Sequence, residues 1–178
     1  MRSESAIVRA SSASGVTAED ADRATISHCQ FHGDGHNIGV HLIGGSGHQI
    51  DSCEFSKHLC AIRATGTTGT IVRSNNAAAR WWGIHLAQSE GAHVYGNFIE
   101  RTMRGIDIDG GTQAVVDGNA VSNGDSGCIV EGGATDCQVS GNRWERCRIG
   151  VLVWDASNFH VHHNDAIDLD DAAFAVCP

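Results

Sequence analysis

Four residues able to do chemistry recur at one spacing. His41, Arg63, His85 and Asp107 follow one another at intervals of 22 residues, and Asp109 and Glu131 are separated by the same interval. Each of the four takes the third place of a short segment: Gly39-Val40-His41-Leu42, Ala61-Ile62-Arg63-Ala64, Gly83-Ile84-His85-Leu86 and Gly105-Ile106-Asp107-Ile108. In a strand, alternation sends that place to the outer face. If the segments stack, the side chains form one polar row with neighbours about 5 Å apart. Asp109 and Glu131 then lie beside it. A carboxylate next to an imidazole fixes its tautomer and raises its pKa, so His85 with Asp107 reads as an oriented general base. Arg63 could hold a carboxylate or stabilise a developing enolate, and His41 extends the row. No cofactor is required for this. Asp107, Asp109 and Glu131 could alternatively bind a hard cation such as Ca²⁺. The plainest alternative is a solvated face whose opposite charges pair.

Stacking is what the rest of the chain encodes. A second motif, aliphatic-x-x-Asn-x-apolar, runs in phase with the first. Its copies begin at Val72, Val94, Val116, Val139 and Val161 and place Asn75, Asn97, Asn119, Asn142 and Asn164 in one column. Two earlier copies, at Ile26 and Ile50, carry Cys29 and Cys53 in the asparagine place. The intervals between the aliphatic residues are 24, 22, 22, 22, 23 and 22. Each copy holds short alternating segments separated by Gly, Asn, Ser and Asp clusters, which is strand periodicity. A unit of that size cannot bury its apolar face alone, whereas stacked units share a continuous core. Inward asparagines at a bend can satisfy backbone groups there and bond one another from copy to copy. The expectation is an all-β parallel coil of about seven rungs over residues 24–178, with 1–23 as a partial rung or cap. Ala6-Ile7-Val8 and Gly15-Val16-Thr17-Ala18 are candidate strands in that first part.

Composition agrees and excludes partners. The chain has 178 residues, 22 glycines and one proline, Pro178, so turns are many and ladder-breaking prolines absent. The formal net charge is -9. No basic stripe for nucleic acid or an anionic membrane is visible, and no stretch is long and apolar enough to span a bilayer. No apolar run of signal-peptide length follows Met1-Arg2-Ser3-Glu4-Ser5, so the chain as given reads as cytoplasmic. A leader present in the natural chain would make it secreted or periplasmic. The seven cysteines fit no zinc spacing and read as buried thiols.

The outer row continues as Ile129, Leu152 and Ala175, with Trp154 alongside. Outward apolar residues mark an interface, so Ile129, Leu152 and Trp154 are candidates for homo-oligomer contacts. Trp82 and Arg104 lie in the turns before the row and could wall a cleft, with Tyr95, Asp109 and Glu131 as further substrate-binding candidates. His160 and His162 alternate on one strand but lack a third metal ligand at fixed spacing. Gly33-Asp34-Gly35 and Gly44-Gly45-Ser46-Gly47 are turns, since neither opens a helix.

The Val-x-Gly-Asn and Gly-Ile-x-Ile copies resemble the right-handed parallel β-helix, pectin-lyase-like superfamily, over roughly residues 24–178. The resemblance implies the fold. It does not imply one activity, because the superfamily includes polysaccharide lyases, galacturonases, mannuronan epimerases, tailspikes and binding modules. Arg104-Gly105-Ile106-Asp107-Ile108-Asp109 is similar to the Asn-Thr-Asp-Gly-Ile-Asp stretch of galacturonases, but Arg104 stands where their catalytic aspartate would be. The Asp-Pro-His motif of the epimerases is absent. The function expected is acid–base chemistry on a uronate or other small molecule, lyase-, epimerase- or cyclase-like. The alternative is a non-catalytic module for carbohydrate binding or assembly.

Overall fold

The computed structural model describes residues 7–9, 12–13 and 15–177, with side chains from Gly15 onward. Three strands make each rung, and every pairing between rungs is parallel. The first ladder stacks Thr25–Ser27, Gln49–Asp51, Ile71–Arg73, His93–Tyr95, Val115–Asp117, Gln138–Ser140 and His160–His162. The second follows each bend: Gln30–His32, the start of Glu54–Thr65, the start of Asn76–Glu90, Phe98–Glu100, Ala120–Ser122, Arg143–Glu145 and Asp165–Ile167. The third runs from Val16–Glu19 through Ile38–Ile43, the ends of those two long strands, Arg104–Thr112, Ser126–Glu131 and Ile149–Trp154 to Ala172–Cys177. Ile7–Arg9 pairs with Thr25–Ser27 ahead of the first ladder. Residues 1–6 of the expected cap, Ala6 among them, lie outside the described residues. Among the described residues no helix is long and apolar enough to cross a membrane.

The asparagine column sits where the first ladder bends into the second. Asn97 shows the pattern. Its Nδ2 donates to the Val72 carbonyl at 2.9 Å and to Asn119 Oδ1 at 2.9 Å. Its Oδ1 accepts from the backbone N–H and the Nδ2 of Asn75, both at 3.0 Å. Asn119 and Asn142 repeat these contacts, and Cys53 closes the series by donating its N–H to Asn75 Oδ1 at 2.9 Å. The residue before each ladder position is left-handed in all seven copies: His28, Ser52, Ser74, Gly96, Gly118, Gly141 and His163. Three of these are glycine, the residue for which that conformation costs least. None of the seven cysteines is in a disulfide, and burial pushes the Cys53 thiol up to about 11.

The glycines that open the third-ladder segments have a different cause. A Cβ on Gly105 would lie 2.5 Å from the Gly127 carbonyl oxygen and 2.6 Å from Val121 Cγ1. Gly83, Gly127 and Gly150 meet the next rung's carbonyl in the same way. Here the second-ladder side chains Ile99, Val121 and Trp144 pack against bare backbone, which brings the two ladders close across the core.

The ladder predicts a graded response. Asn119→Ala should lower unfolding stability by about 3 kcal/mol, since it strands buried partners on two rungs. Asn164→Ala, at the half-buried end of the column, should cost about half as much. Urea denaturation of both variants checks this, and equal losses would contradict it.

Candidate functional site

The outer face of the third ladder carries the expected row. Thr17 pairs with His41, His41 with Arg63, Arg63 with His85, His85 with Asp107, Asp107 with Ile129, Ile129 with Leu152 and Leu152 with Ala175. Asp109 and Glu131 are likewise register neighbours one step along the strands. The positions are as alternation and period require. The partners the side chains choose are not all those expected.

Asp107 is fully buried, and its carboxylate turns to the corner instead of to His85. Its Oδ2 accepts from Trp82 Nε1 at 2.8 Å and from Arg104 Nη1 at 2.7 Å. The same Nη1 donates to Glu131 Oε1 at 2.6 Å, so one guanidinium ties two acids on successive rungs. Desolvation opposes the Arg104 charge, but the hydrogen bonds to Asp107 and Glu131 outweigh it and raise the pKa. This replaces the expected orientation of His85 by Asp107. It also bears on Ca²⁺. A cationic side chain already lies between Asp107 and Glu131, and among the described residues no group of three His, Cys, Asp or Glu is arranged to hold a metal.

His85 is 6% exposed. Trp82 does not merely wall a cleft: its ring lies nearly parallel over the imidazole, with centroids 5.2 Å apart. The carboxylate that His85 faces is Asp109, whose Oδ2 is 3.7 Å from Nε2. His85 Nδ1 is buried without a hydrogen-bond partner. Burial pushes its pKa down, the nearby Asp107 and Asp109 charges oppose that, and Arg63 adds to it. The lowered pKa favours the neutral, proton-accepting form of the imidazole.

Arg63 is half-buried between the two histidines of the row. Its Nε is buried without a partner, and among the described residues it joins none of the ion pairs. In a chain of net charge -9 an unpaired guanidinium is unusual. His41, whose Nε2 is 3.5 Å from Thr65 Oγ1, is also pushed down by burial and then by Arg63.

Two expected sets of residues are placed elsewhere. Tyr95 lies on the first ladder, against His93 and hydrogen-bonded by Arg73 Nη1 at 3.3 Å, so it does not join the His85 face. Ile129 points outward but is only 3% exposed, leaving Leu152 half-buried and Trp154 54% exposed as the open part of the apolar stripe. Trp154 closes a hollow of about 460 Å³ with Asp109, Glu131, Gly132 and Asp155. The bonds from Trp82 and Arg104 to Asp107 were not foreseen. Their only sequence signal is that Trp82 and Arg104 are themselves 22 apart, in one corner column.

A family model described as a right handed beta helix region matches residues 14–166. Two solved structures of PfbA, a surface protein and adhesin of Streptococcus pneumoniae, are similar to the chain, with TM-scores of 0.71 and 0.72 and 12% identity in each case. They cover 88% and 86% of this chain, and the chain covers 49% and 46% of theirs, so it spans about half their length. At that identity the likeness shows the fold alone. No curated protein sequence matches the chain.

Depressed histidines make stability depend on pH. His41, His58 and His85 all lie below the ordinary 6.5 through burial. The unfolded chain therefore takes up these protons first, and stability present above about pH 6.5 is lost as pH falls through the folded values. The Tm should drop on acidification from about pH 7 to 5, and His85→Gln should flatten part of that drop. Differential scanning calorimetry across that range checks it, and a flat wild-type profile would contradict it.

Proposed function

The chain belongs to the right-handed β-helix family, and on that premise we propose that its third-ladder face is a proton-transfer site for an acidic sugar, working as a lyase or epimerase. The observation that carries the reading is the placing of a nearly buried imidazole beside a register-neighbour guanidinium that has no carboxylate partner among the described residues. A uronate supplies what both lack. Its carboxylate would pair with Arg63, which then stabilises the enolate-like charge formed when the α-carbon loses its proton. His85 accepts that proton at Nε2, and Asp109 stabilises the resulting imidazolium. A proton delivered by solvent to the other face of the enolate gives epimerisation, whereas departure of the β-oxygen, protonated by solvent as the C–O bond breaks, gives elimination. Asp107, Arg104 and Trp82 act as positioning residues, because their hydrogen bonds hold the indole over His85.

A second reading is favoured by Trp154, an exposed ring beside the acidic hollow. Aromatic rings at a polar groove stack on sugars without chemistry. The face would then be a binding or assembly module, with Leu152 and Trp154 as its apolar contacts. That the structural neighbours are an adhesin agrees with such a role.

Proton exchange separates the two. Oligouronates incubated with the protein in D₂O should gain deuterium at the carbon next to the carboxylate if the reaction is epimerisation, or yield the ultraviolet-absorbing unsaturated uronate if it is elimination. His85→Gln should slow this about 10²- to 10⁴-fold with little change in Tm. Arg63→Gln should raise KM as well as lower kcat. Binding of oligouronates with neither exchange nor an unsaturated product would overturn the enzymatic reading in favour of the module.

A further inference from the structure

A second binding groove lies beyond the corner that separates the second and third ladders. Two adjoining hollows of about 390 and 730 Å³ share His32, Ser56, Ala78 and Arg101. None of their lining residues belongs to the His85 face. The floor is an outward column of the second ladder, His32–Ser56–Ala78–Glu100, in register across four rungs. Three rung steps span about 14 Å, enough for a few residues of an extended chain. Ala78 is the small residue that leaves the floor open in its middle.

The charges in the groove are unevenly satisfied. Its acids are all held in place: Asp34 by the His36 N–H at 3.0 Å and Glu54 by Gln30 Nε2 at 3.2 Å, both neutral donors, and Glu100 by an ion pair with Arg101. Two of its cations are held by no acid. Lys57 and Arg80 join none of the ion pairs among the described residues, and Lys57 is the only lysine of the chain. Polar groups stand ready beside them. His32 Nδ1 and Ser56 Oγ are 2.9 Å apart on the floor. His58, fully buried in the wall, spends Nδ1 on Asn37 Oδ1 at 3.0 Å, and its Nε2 has no well-formed hydrogen bond.

We propose that this groove binds a glycan bearing sulfate or phosphate esters, with Lys57 and Arg80 holding an ester and Ser56, His32 and Asn76 meeting hydroxyls. Arginine suits a bidentate oxyanion and lysine a point contact, and both bring their charge without having to break an existing pair. Carbohydrate fits better than nucleic acid. The groove's phenyl rings, Phe31 and Phe55, are 1% and 3% exposed and pack inward, so they offer bases no stacking surface. The site is independent of the chemistry proposed for His85.

Calorimetric titration with dextran sulfate, phosphorylated dextran, neutral dextran and a single-stranded oligonucleotide tests the proposal. One or both esterified dextrans should bind, and which one binds more tightly identifies the ester. The Lys57→Gln/Arg80→Gln double variant should weaken that binding about tenfold or more and reduce its dependence on salt. Both side chains are exposed, so Tm should hold, and Arg63→Gln should leave this binding unchanged. Equal binding of neutral dextran, indifference to the double variant, loss on Arg63→Gln, or tighter binding of the oligonucleotide would each overturn it.

Discussion

The asparagine-to-asparagine hydrogen bonds at the bend set the position of everything else. Asn75, Asn97, Asn119 and Asn142 each bond the rung before, the rung after and the backbone carbonyl of a neighbouring strand. These contacts lie in the buried core, where an unmade bond costs far more than in water. A slip of one residue would reverse every side chain between core and surface and would also break the column. The ladder therefore fixes height and register together. The left-handed residue before it turns the chain at the same place in each copy.

From that register the outer faces follow. Side chains 22 residues apart become neighbours, and a row of chosen chemistry needs no further device than a choice of residue at one place per copy. The corners add what alternation cannot. Trp82 and Arg104 reach from the corner onto the third-ladder face, and their two hydrogen bonds to Oδ2 offset part of the cost of burying the Asp107 charge. Removing either would leave a buried carboxylate short of donors. The tie also leaves Asp109, more exposed, as the acid beside His85.

Much of this was legible in the sequence, and its limits have physical causes. The fold, the asparagine column with its cysteine continuation and the row from Thr17 to Ala175 all follow from two periods, 2 and about 22, read together. Alternation gives direction but not cover, so Ile129 was placed outward correctly while its burial was not visible. Adjacency in register likewise does not choose partners. Asp107 stands beside His85 but bonds to Trp82, 25 positions earlier, because a long corner side chain can outreach a strand neighbour. Tyr95 could have been excluded, since it belongs to the Val94-Tyr95-Gly96-Asn97 copy and hence to another ladder. The Lys57–Arg80 groove was not legible because Lys57 and Arg80 lie in different places of their copies, and the register shifts on either side of Ala79.

The central claim is that the stacked register keeps His85 neutral beside the unpaired charge of Arg63. Nitrogen-15 NMR of the His85 ring, titrated in the wild type and in Arg63→Gln, tests it most directly. The account predicts a wild-type pKa below the ordinary 6.5 and a rise when the Arg63 charge is removed. A His85 that titrates at or above that value, or one unmoved by Arg63→Gln, would contradict it.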